Sequence, residues 1–394
     1  MTSFFSYLPE EVIEIIFSKL PADSVNLHNA KNNSSLSLIF NTYYPDIYGI
    51  CRGLEYPGEP KISSVSLLSD VSEHDPINSV TKDLGLTLSQ DGECRGSDWR
   101  LVCQCDGILC LDKGRLVQNL MLCNPALHEF KLIPEPMRPK KFINVGLGFG
   151  FDFRANKYKL VRVIYQKRKF EAEVHTLGSN SWRKIDMCCE TLSLYEYGYM
   201  YWEGLCFWML TTREGGILCF DMADEVFHII PLPIKSDNCA FLAVQDGSLV
   251  LFVRPLNRIG ENLGSRSLEM WVMDGYFDKV KGIKSAWRWV KRLVIEPLDR
   301  IRFPLKFWKS DELLLFDRSE GRVHSYNLQT RKLRNIVGVD RFGAVIPICF
   351  FYFKSLVSIK GSELEAESSR KLKKGQNPTT EIDIFGRPFA TSDE

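Results

Sequence analysis

The chain has 394 residues, a formal net charge of +1, 45% hydrophobic residues and 25% charged residues. This is the composition of an ordinary globular protein with room for two or three domains. The balanced charge provides no overall field that would attract nucleic acid or an anionic membrane surface, so neither partner is expected. The longest apolar run, Ala344–Phe353, has ten residues, whereas a helix needs about 20 to cross a bilayer.

The N-terminal segment carries acidic residues and no basic cluster. Glu10, Glu11 and Glu14 lie where a secretory leader would have positive charge. No such leader is predicted, and the protein is expected in the cytoplasm, the nucleus or both. The twelve cysteines are therefore expected to be reduced thiols. They form no Cys-x-x-Cys pair and the six histidines are scattered, so neither a metal nor another cofactor is expected.

The segment from Leu8 to Pro21 has the pattern of one amphipathic helix. Pro9 suits a first helical turn, and Glu10 and Glu11 place negative charge near the positive end of the helix dipole. The apolar residues recur at spacings of three and four and form one stripe: Val12, Ile13, Ile16, Phe17 and Leu20. A helix this short is marginal alone, so the stripe either packs on its own domain or docks on a partner.

From about residue 100 the chain reads as short alternating strands separated by turn residues, which indicates a mostly β fold. A hairpin signature recurs, in which an apolar strand ends in a polar residue and an aromatic residue or leucine follows about six positions later. It occurs in Met121–Asn124 with Phe130, Glu173–Thr176 with Trp182, Leu218–Asp221 with Phe227, and Val323–Asn327 with Leu333. A fifth unit, Leu268–Met273 with Trp287, has a longer loop. Successive units are 45 to 60 residues apart, close to the length of a four-stranded propeller blade.

A more apolar run precedes most of these hairpins, and each run begins with a polar or glycine turn. The runs are 105–111, 202–208, 246–252 and 309–315, and they are predicted to be inner strands of blades. The whole pattern predicts a β-propeller of five or six blades. Closure is predicted between Phe350–Ile359 and a strand near the start of the chain. A β-sandwich is the alternative.

No pattern of catalytic residues emerges from the sequence. Gly146–Gly150 superficially resembles a phosphate-binding loop, but such a loop needs a helix behind it, and Phe151–Phe153 continues the alternation of a strand. No Gly-x-Ser-x-Gly elbow and no His-Glu-x-x-His motif occur, so the chain is not expected to be an enzyme. Alternating aromatic residues at 195–202 either line a binding face or pack between blades.

The N-terminal helix resembles the opening of an F-box, the module that joins a ubiquitin ligase receptor to its Skp1 adaptor. The match runs from Leu8 to Pro21, and the resemblance implies that six residues face Skp1: Leu8, Pro9, Ile13, Ile16, Phe17 and Leu20. The family's next stretch, a basic and cysteine-containing segment leading to a further helix, is missing, which indicates a truncated F-box. The chain continues instead into Leu36–Phe40, which resembles the strand that follows an F-box.

The β region resembles the F-box-associated, kelch-like domain of plant F-box proteins, including S-locus and defence-regulating members. The resemblance rests on motifs in the family's order: Cys105–Leu111, Leu122–Pro125 with Phe130, Gly148–Asp152 with Asn156–Arg162, Ser181–Arg183, Phe220–Asp221, Met270–Met273, Tyr326–Leu328 and Phe353–Ser358. It implies that this domain forms the propeller.

Four segments are predicted from these observations. A short helical F-box remnant occupies 1–45, and an irregular bridge occupies 46–94, in which Ser64–Leu68 could be a first strand. The propeller occupies 95–360. The polar tail, 361–394, is predicted to be disordered because it has almost no apolar periodicity.

The resemblance implies a non-catalytic subunit of an SCF (Skp1–cullin–F-box) ubiquitin ligase. The helix would bind a Skp1-like adaptor and through it cullin, and the β-domain would bind an unknown protein substrate. The alternative is a free-standing protein-binding propeller that has lost Skp1 because half of the F-box is missing. Loops on a rigid scaffold usually carry recognition, and the candidates for substrate contact are Arg138, Lys140, Lys141, Tyr195, Tyr197, Tyr199 and the insertion Arg254–Ser267.

Overall fold

The structure is a computed structural model, and it describes seventeen stretches of the chain. These are residues 35–41, 62–68, 76–83, 99–113, 119–134, 143–166, 169–187, 194, 199–210, 215–234, 240–253, 267–274, 288–295, 302–337, 339, 348–352 and 354–360. The predicted N-terminal helix and the predicted disordered tail lie outside them. Within the described stretches, no helix has the length and apolar character to cross a membrane.

The described regular elements are β-strands, which form six groups of four called blades 1 to 6. Blade 1 contains β1 (Ser35–Asn41), β2 (Ile62–Leu68), β3 (Ile77–Asp83) and β24 (Ile348–Phe351). Blade 2 contains β4 (Trp99–Cys105), β5 (Ile108–Lys113), β6 (Leu120–Asn124) and β7 (Glu129–Ile133), and blade 3 contains β8 (Ile143–Asp152), β9 (Lys157–Gln166), β10 (Lys169–Thr176) and β11 (Arg183–Ile185). Blade 4 contains β12 (Met200–Trp202), β13 (Leu205–Leu210), β14 (Gly216–Asp221) and β15 (Phe227–Ile230). Blade 5 contains β16 (Ala240–Gln245), β17 (Ser248–Val253), β18 (Leu268–Asp274) and β19 (Arg288–Ile295), and blade 6 contains β20 (Arg302–Lys309), β21 (Glu312–Asp317), β22 (Arg322–Asn327) and β23 (Leu333–Val337).

Five hydrogen-bonded sheets contain these strands. Blades 2 to 5 are separate four-stranded sheets in sequence order, and the fifth sheet has eight strands in the order β20-β21-β22-β23-β3-β2-β1-β24. It joins blade 6 to blade 1 through a short parallel pairing, with Ile336 opposite Ile77 and Val337 opposite Asn78. The predicted propeller of five or six blades is confirmed, since the described strands form five sheets made of six four-stranded units.

Clusters of buried apolar side chains fill the junctions between neighbouring blades. Each cluster contains residues of two adjacent blades. The pairs that share a cluster include Leu122 with Phe149, Val163 with Phe220, Phe252 with Leu313, Phe316 with Leu38, and Ile39 with Leu101. Burying one such side chain contributes about 1.5–3 kcal/mol. The junctions between blades are therefore the main hydrophobic core of the ring.

The two ends of the propeller sequence close the ring within blade 1. β24 pairs antiparallel with β1, with Ile39 opposite Phe350 and Leu38 opposite Phe351. The predicted closure against a strand near the start of the chain is confirmed, but β24 overlaps only the first two residues of the predicted range Phe350–Ile359. The strand predicted at Leu36–Phe40 is β1. A closed ring leaves few sheet edges open to other chains.

Three strands of the propeller lie before residue 95, where the sequence boundary placed its start. β1 falls within the segment predicted as the F-box remnant, and β2 and β3 fall within the predicted bridge. β2 contains the strand predicted at Ser64–Leu68. β1 and β3 pair with strands from the other end of the chain. Their position in the ring therefore cannot be predicted from a local sequence pattern.

The most apolar runs are second strands of their blades. This agrees with the prediction of inner blade strands, because each second strand has a strand on both sides. The first strands of neighbouring blades contact each other, as β4 with β8 and β16 with β20 do. β13 and β21 are buried along their whole length, whereas β16 is mostly half-buried. A second strand has strands at both edges and blades over both faces, so a continuous apolar run reports burial on two faces.

The repeated hairpin signature is confirmed as the third and fourth strands of a blade. It corresponds to β6 and β7, β14 and β15, and β22 and β23, and in blade 3 it ends at β11. In blade 5 it corresponds to β18 and β19, although Trp287 lies outside the described residues.

Five tight turns share one construction. An Asn or Asp at the end of a strand accepts the backbone N–H groups of the second and third residues that follow, at Asn124, Asp152, Asp221, Asp317 and Asn327. The fourth residue after each has a positive φ: His128, Asn156, Glu225, Gly321 and Arg331. Side-chain acceptance of this kind replaces backbone hydrogen bonds and fixes the turn.

Candidate functional site

The two ends of the propeller carry different connections because strand direction alternates within a blade. Turns between first and second strands, and between third and fourth strands, lie at one end, which we call the turn face. Connections between second and third strands, and from one blade to the next, lie at the opposite end, which we call the loop face.

Hydrogen bonds between blades hold the turn face together. The Tyr158 hydroxyl, just after the first turn of blade 3, donates to Asp106 in the first turn of blade 2 at 3.0 Å. In the same way, the Ser310 hydroxyl of blade 6 donates to Asp246 of blade 5 at 2.7 Å. Neighbouring turns are thus fixed relative to one another.

A buried ammonium group joins blades 3 and 4 at the turn face. Lys159 Nζ lies 2.6 Å from Asp152 Oδ2 and 2.7 Å from Glu225 Oε1, and it donates to the Met222 carbonyl at 2.8 Å. Arg183 pairs with the second oxygen of Glu225. Burial alone would raise the pKa of both carboxyl groups. Their hydrogen bonds, including those from Lys159, outweigh this effect, and the pKa of each group is lowered. Both groups are therefore ionised at neutral pH.

Tyr199 is the one predicted substrate-binding residue whose position the structure describes. Its hydroxyl donates to the Phe149 carbonyl at 2.7 Å and accepts the Phe149 N–H at 3.0 Å. Its ring centroid lies 6.0 Å from that of Trp208 and 6.4 Å from that of Phe350. Burial raises the pKa of Tyr199 well above its usual value, so the hydroxyl stays protonated. These contacts agree with the alternative that the aromatic residues pack between blades.

Two more side chains of blade 4 bind the inner edge of β8. The Tyr201 hydroxyl accepts the Phe151 N–H at 3.1 Å, and Trp208 Nε1 donates to the Leu147 carbonyl at 3.3 Å. β8 lies at the end of its sheet, and an edge strand presents peptide groups that need partners. The ring side chains supply those partners.

The glycines of β8 make room for these rings. A Cβ atom on Gly150 would lie 2.3 Å from Tyr201 Cε2, and one on Gly148 would lie 2.8 Å from Trp208 Cζ2. The strand predicted for this glycine-rich segment is confirmed, and the glycines allow close packing between blades 3 and 4.

Four buried cysteines of blades 2 and 4 are protonated. Burial raises the pKa of Cys103, Cys105 and Cys206 well above the usual range, and it raises the pKa of Cys123 to about 12. The thiolate is the reactive form of cysteine, so these four thiols are poor nucleophiles.

The chain enters the propeller at the turn face. Asn41 lies opposite Ile348, where β24 begins after a connection from blade 6, so this end of β1 is at the loop face. Ser35, at the other end of β1, is at the turn face. The six residues predicted to face Skp1, from Leu8 to Leu20, lie outside the described residues and precede Ser35 in the chain.

The segment after β24 is fastened to the turn face of blade 2. Asn124 Nδ2 donates to the carbonyls of Ser355 and Val357, both at 2.9 Å. The Ile359 N–H donates to Glu129 at 2.7 Å. We call residues 354–360 the C-terminal latch. Sequence reasoning missed this role of Asn124, although an Asn that ends a buried strand is a usable signal for a polar anchor.

The other predicted substrate-binding residues lie in connections anchored at the loop face. Arg138, Lys140 and Lys141 fall between β7 and β8, and Tyr195 and Tyr197 fall between β11 and β12. All five lie outside the described residues. The insertion Arg254–Ser267, of which only the last residue is described, joins β17 to β18 and starts and ends at the same face.

Comparison with known families and proteins agrees with this architecture. The family model of the F-box associated beta propeller domain matches residues 59–359. The F-box protein At3g17490 of Arabidopsis thaliana is 24% identical over 93% of this chain and 98% of its own length. The F-box protein At3g25460 of the same plant is 26% identical over 90% of this chain and 98% of its own length. The F-box/kelch-repeat protein At3g19410 is 25% identical over 66% of this chain and 71% of its own length.

Proposed function

This chain belongs to the F-box associated beta propeller family, and we propose that it is the substrate-recognition subunit of an SCF-type ubiquitin ligase acting in the cytoplasm or the nucleus. The N-terminal helix binds a Skp1-like adaptor and, through it, cullin. The propeller binds the protein that is to be ubiquitinated.

The observation that carries this proposal is the separation of the two ends of the ring. The chain before Ser35 joins the propeller at the turn face, and the longest connections between blades start and end at the loop face. A receptor that joins an adaptor to a substrate needs two such separate surfaces. Recognition by loops on a rigid scaffold is the common arrangement.

The proposal assigns no chemical step to the chain. Ubiquitin transfer is performed by the conjugating enzyme of the complex, and this subunit contributes by holding the substrate close to it. The four buried, protonated cysteines of blades 2 and 4 support this view, because they supply no thiolate for transfer.

A second candidate function is a free-standing protein-binding propeller without Skp1. The shortened F-box motif in the sequence favours it, because one short helix offers little of the roughly 800 Å² per partner that a stable interface buries. The closed ring and the latch would then support recognition alone.

Co-purification with a plant Skp1 separates these two functions. The full chain is compared with an Ile16→Asp, Phe17→Asp variant, which places two charges on the apolar stripe. A Glu14→Asp, Ser18→Asp variant carries the same side chains on the opposite helix face and serves as the control. Binding by the unchanged chain and the control, with loss in the stripe variant, is the expected result. A folded, unchanged chain that does not retain Skp1 rules out the ligase role and leaves the free-standing module.

A second comparison tests the loop face. Substituting Arg138, Lys140 and Lys141 by Glu is expected to remove substrates captured by proximity labelling in plant cells, while Skp1 is retained. Lys157→Glu, an exposed change at the turn face, is the control. Equal sets of captured proteins for both variants would contradict recognition through this connection.

A further inference from the structure

We propose that the loop-face end of blade 6 binds a divalent first-row transition metal ion of the zinc type through Asp317, Glu320 and His324. Each residue offers one ligand atom, and the three atoms lie within 4.8 Å of one another. Asp317 ends β21, Glu320 lies in the following turn, and His324 is on β22. This inference is independent of the proposed function.

The local fold holds two of the three ligands firmly. The Asp317 Oδ1 atom accepts the backbone N–H groups of Ser319 at 2.8 Å and Glu320 at 3.2 Å. Asp317 and His324 are buried, with 0% and 4% of their surface exposed. The Glu320 side chain is 36% exposed, so an ion can reach the cluster from the solvent. Ligands held in place before binding lose little entropy when the ion arrives.

A hydrogen bond from outside the cluster orients the histidine. His324 Nδ1 lies 3.0 Å from Asn335 Oδ1 on β23. An amide oxygen accepts hydrogen bonds and does not donate them, so Nδ1 carries the proton and the neutral ring has its lone pair on Nε2. That atom is the one that faces Glu320 Oε2, at 3.6 Å. Metal-binding histidines are held in this way by a second partner on the other ring nitrogen.

The distances and ligand types fit zinc better than magnesium or calcium. Zinc binds nitrogen and oxygen ligands at about 2.0–2.2 Å in a tetrahedral arrangement, which separates neighbouring ligand atoms by roughly 3.3–3.6 Å. The separation of 3.6 Å between His324 Nε2 and Glu320 Oε2 is close to that value. Magnesium and calcium prefer oxygen ligands alone, whereas one imidazole and two carboxylates suit zinc or manganese.

The protein contains a matched sequence that does not form such a cluster. Asp221, Asp224 and His228 have the same spacing as Asp317, Glu320 and His324, and they also follow the turn construction described above. Among the described residues, metal-ligand geometry is found at Asp317, Glu320 and His324 and not at the matched set. Asp224 is instead paired with Arg154 at 2.7 Å. Sequence reasoning missed the site because this spacing alone does not distinguish the two sets.

Titration with Zn²⁺ tests the site. The full chain, freed of metal by dialysis against a chelator, is titrated in a calorimeter, and we expect one saturable site. His324→Gln is expected to weaken binding at least about tenfold, and Asn335→Ala by about 10–100-fold because it removes the orienting partner. Glu320→Gln is also expected to weaken binding. Because this side chain is 36% exposed, the change should have little effect on folding. His228→Gln is the matched control and is expected to bind as the unchanged chain does.

Two outcomes overturn the proposal. One is the absence of saturable Zn²⁺ binding by a folded, unchanged chain. The other is equal binding by the unchanged chain and His324→Gln. Substitution with Co²⁺ provides the check on cysteine, because thiolate ligands give an intense near-ultraviolet charge-transfer band and the proposed nitrogen and oxygen ligands do not.

Discussion

The turn face and the loop face of the propeller differ in how their connections are made. Most turn-face connections are short, from two residues between β4 and β5 to five between β14 and β15. Many loop-face connections are longer, with fourteen residues between β17 and β18 and fifteen between β3 and β4. The connection from β18 to β19 is a long exception at the turn face, and that from β21 to β22 is a short one at the loop face.

This difference indicates at which face the connections can change in length without loss of stability. At the turn face, side chains of one blade bind the next through Lys159, Tyr158 and Ser310, and the C-terminal latch binds there through Asn124. A change in length at that face would break contacts between blades. At the loop face, a longer connection adds chain entropy that grows only with the logarithm of its length. A change in connection length is therefore expected to cost little stability at the loop face and more at the turn face.

The largest effect is expected from Lys159→Met at the turn face. Methionine keeps most of the side-chain volume but leaves the Asp152 and Glu225 carboxylates without their shared ammonium group, and their side chains are 3% and 14% exposed. Removing one partner of a buried ion pair costs about 3–5 kcal/mol. Urea unfolding followed by fluorescence measures the loss. Lys157→Met, an exposed change on the same strand, is the control.

The same cluster predicts a loss of stability in acid. The pKa values of Asp152 and Glu225 are lowered in the folded protein, so their stabilisation is fully present above the ordinary carboxyl pKa of about 4 in the unfolded chain. It is lost as the pH falls through the lowered folded values. Lys159→Met should flatten this dependence. A variant that unfolds with the same pH profile as the unchanged chain would contradict the assignment.

A smaller effect is expected from Gly150→Ala in β8. The new Cβ would lie 2.3 Å from Tyr201 Cε2 and 3.0 Å from Met222 Cε, so the Tyr201 ring must move away from the backbone of Phe151. Overpacking of a buried site costs about 1–3 kcal/mol. Combining Gly150→Ala with Tyr201→Leu should recover part of that loss in the same unfolding measurement. Additive losses would show that the two side chains do not meet.

The C-terminal latch is expected to depend on one amide group. Asn124→Asp keeps an oxygen for the backbone N–H groups of the turn but removes the donors to the carbonyls of Ser355 and Val357. Two lost hydrogen bonds correspond to about 1–3 kcal/mol. We expect faster proteolysis after residue 352 and a lower midpoint of thermal unfolding. Asn156→Asp, an exposed change at a turn of blade 3, should leave proteolysis of the C-terminal segment unchanged.

Much of the ring could be predicted from local patterns. The hairpin from Met121 to Phe130 repeats in other blades because each blade needs an apolar third strand followed by a tight turn, and both features are local in sequence. The pairing of Ile39 with Phe350 lies outside the reach of such patterns, since the two strands come from opposite ends of the chain. The apolar runs predicted that the second strands are inner strands, but not their order from the axis, because hydrophobicity measures burial and not distance from the axis.

The interaction surfaces were only partly predictable. The resemblance to F-box proteins predicted the role of the helix from Leu8 to Pro21 and the candidate substrate residues, and these predictions are untested. The contact of Tyr201 with Gly150 joins segments about fifty residues apart, and a sequence of alternating tyrosines cannot distinguish packing from binding. The same limit applies to His324, whose orienting partner Asn335 lies on the next strand.

The smallest effect is expected at the loop face, and it sharpens the contrast between the two faces. Inserting six Gly and Ser residues after Gly260, between β17 and β18, should change the free energy of unfolding by about 0.3 kcal/mol, because loop-closure entropy grows with the logarithm of length. The same insertion after Ala223, at the turn face, displaces Glu225 from Lys159 and should cost about 3 kcal/mol or more. Urea unfolding of both variants measures the difference. Equal losses would mean that the loop face contributes as much to the closed ring as the turn face does, and its connections would then have to be regarded as part of the scaffold that holds the blades together.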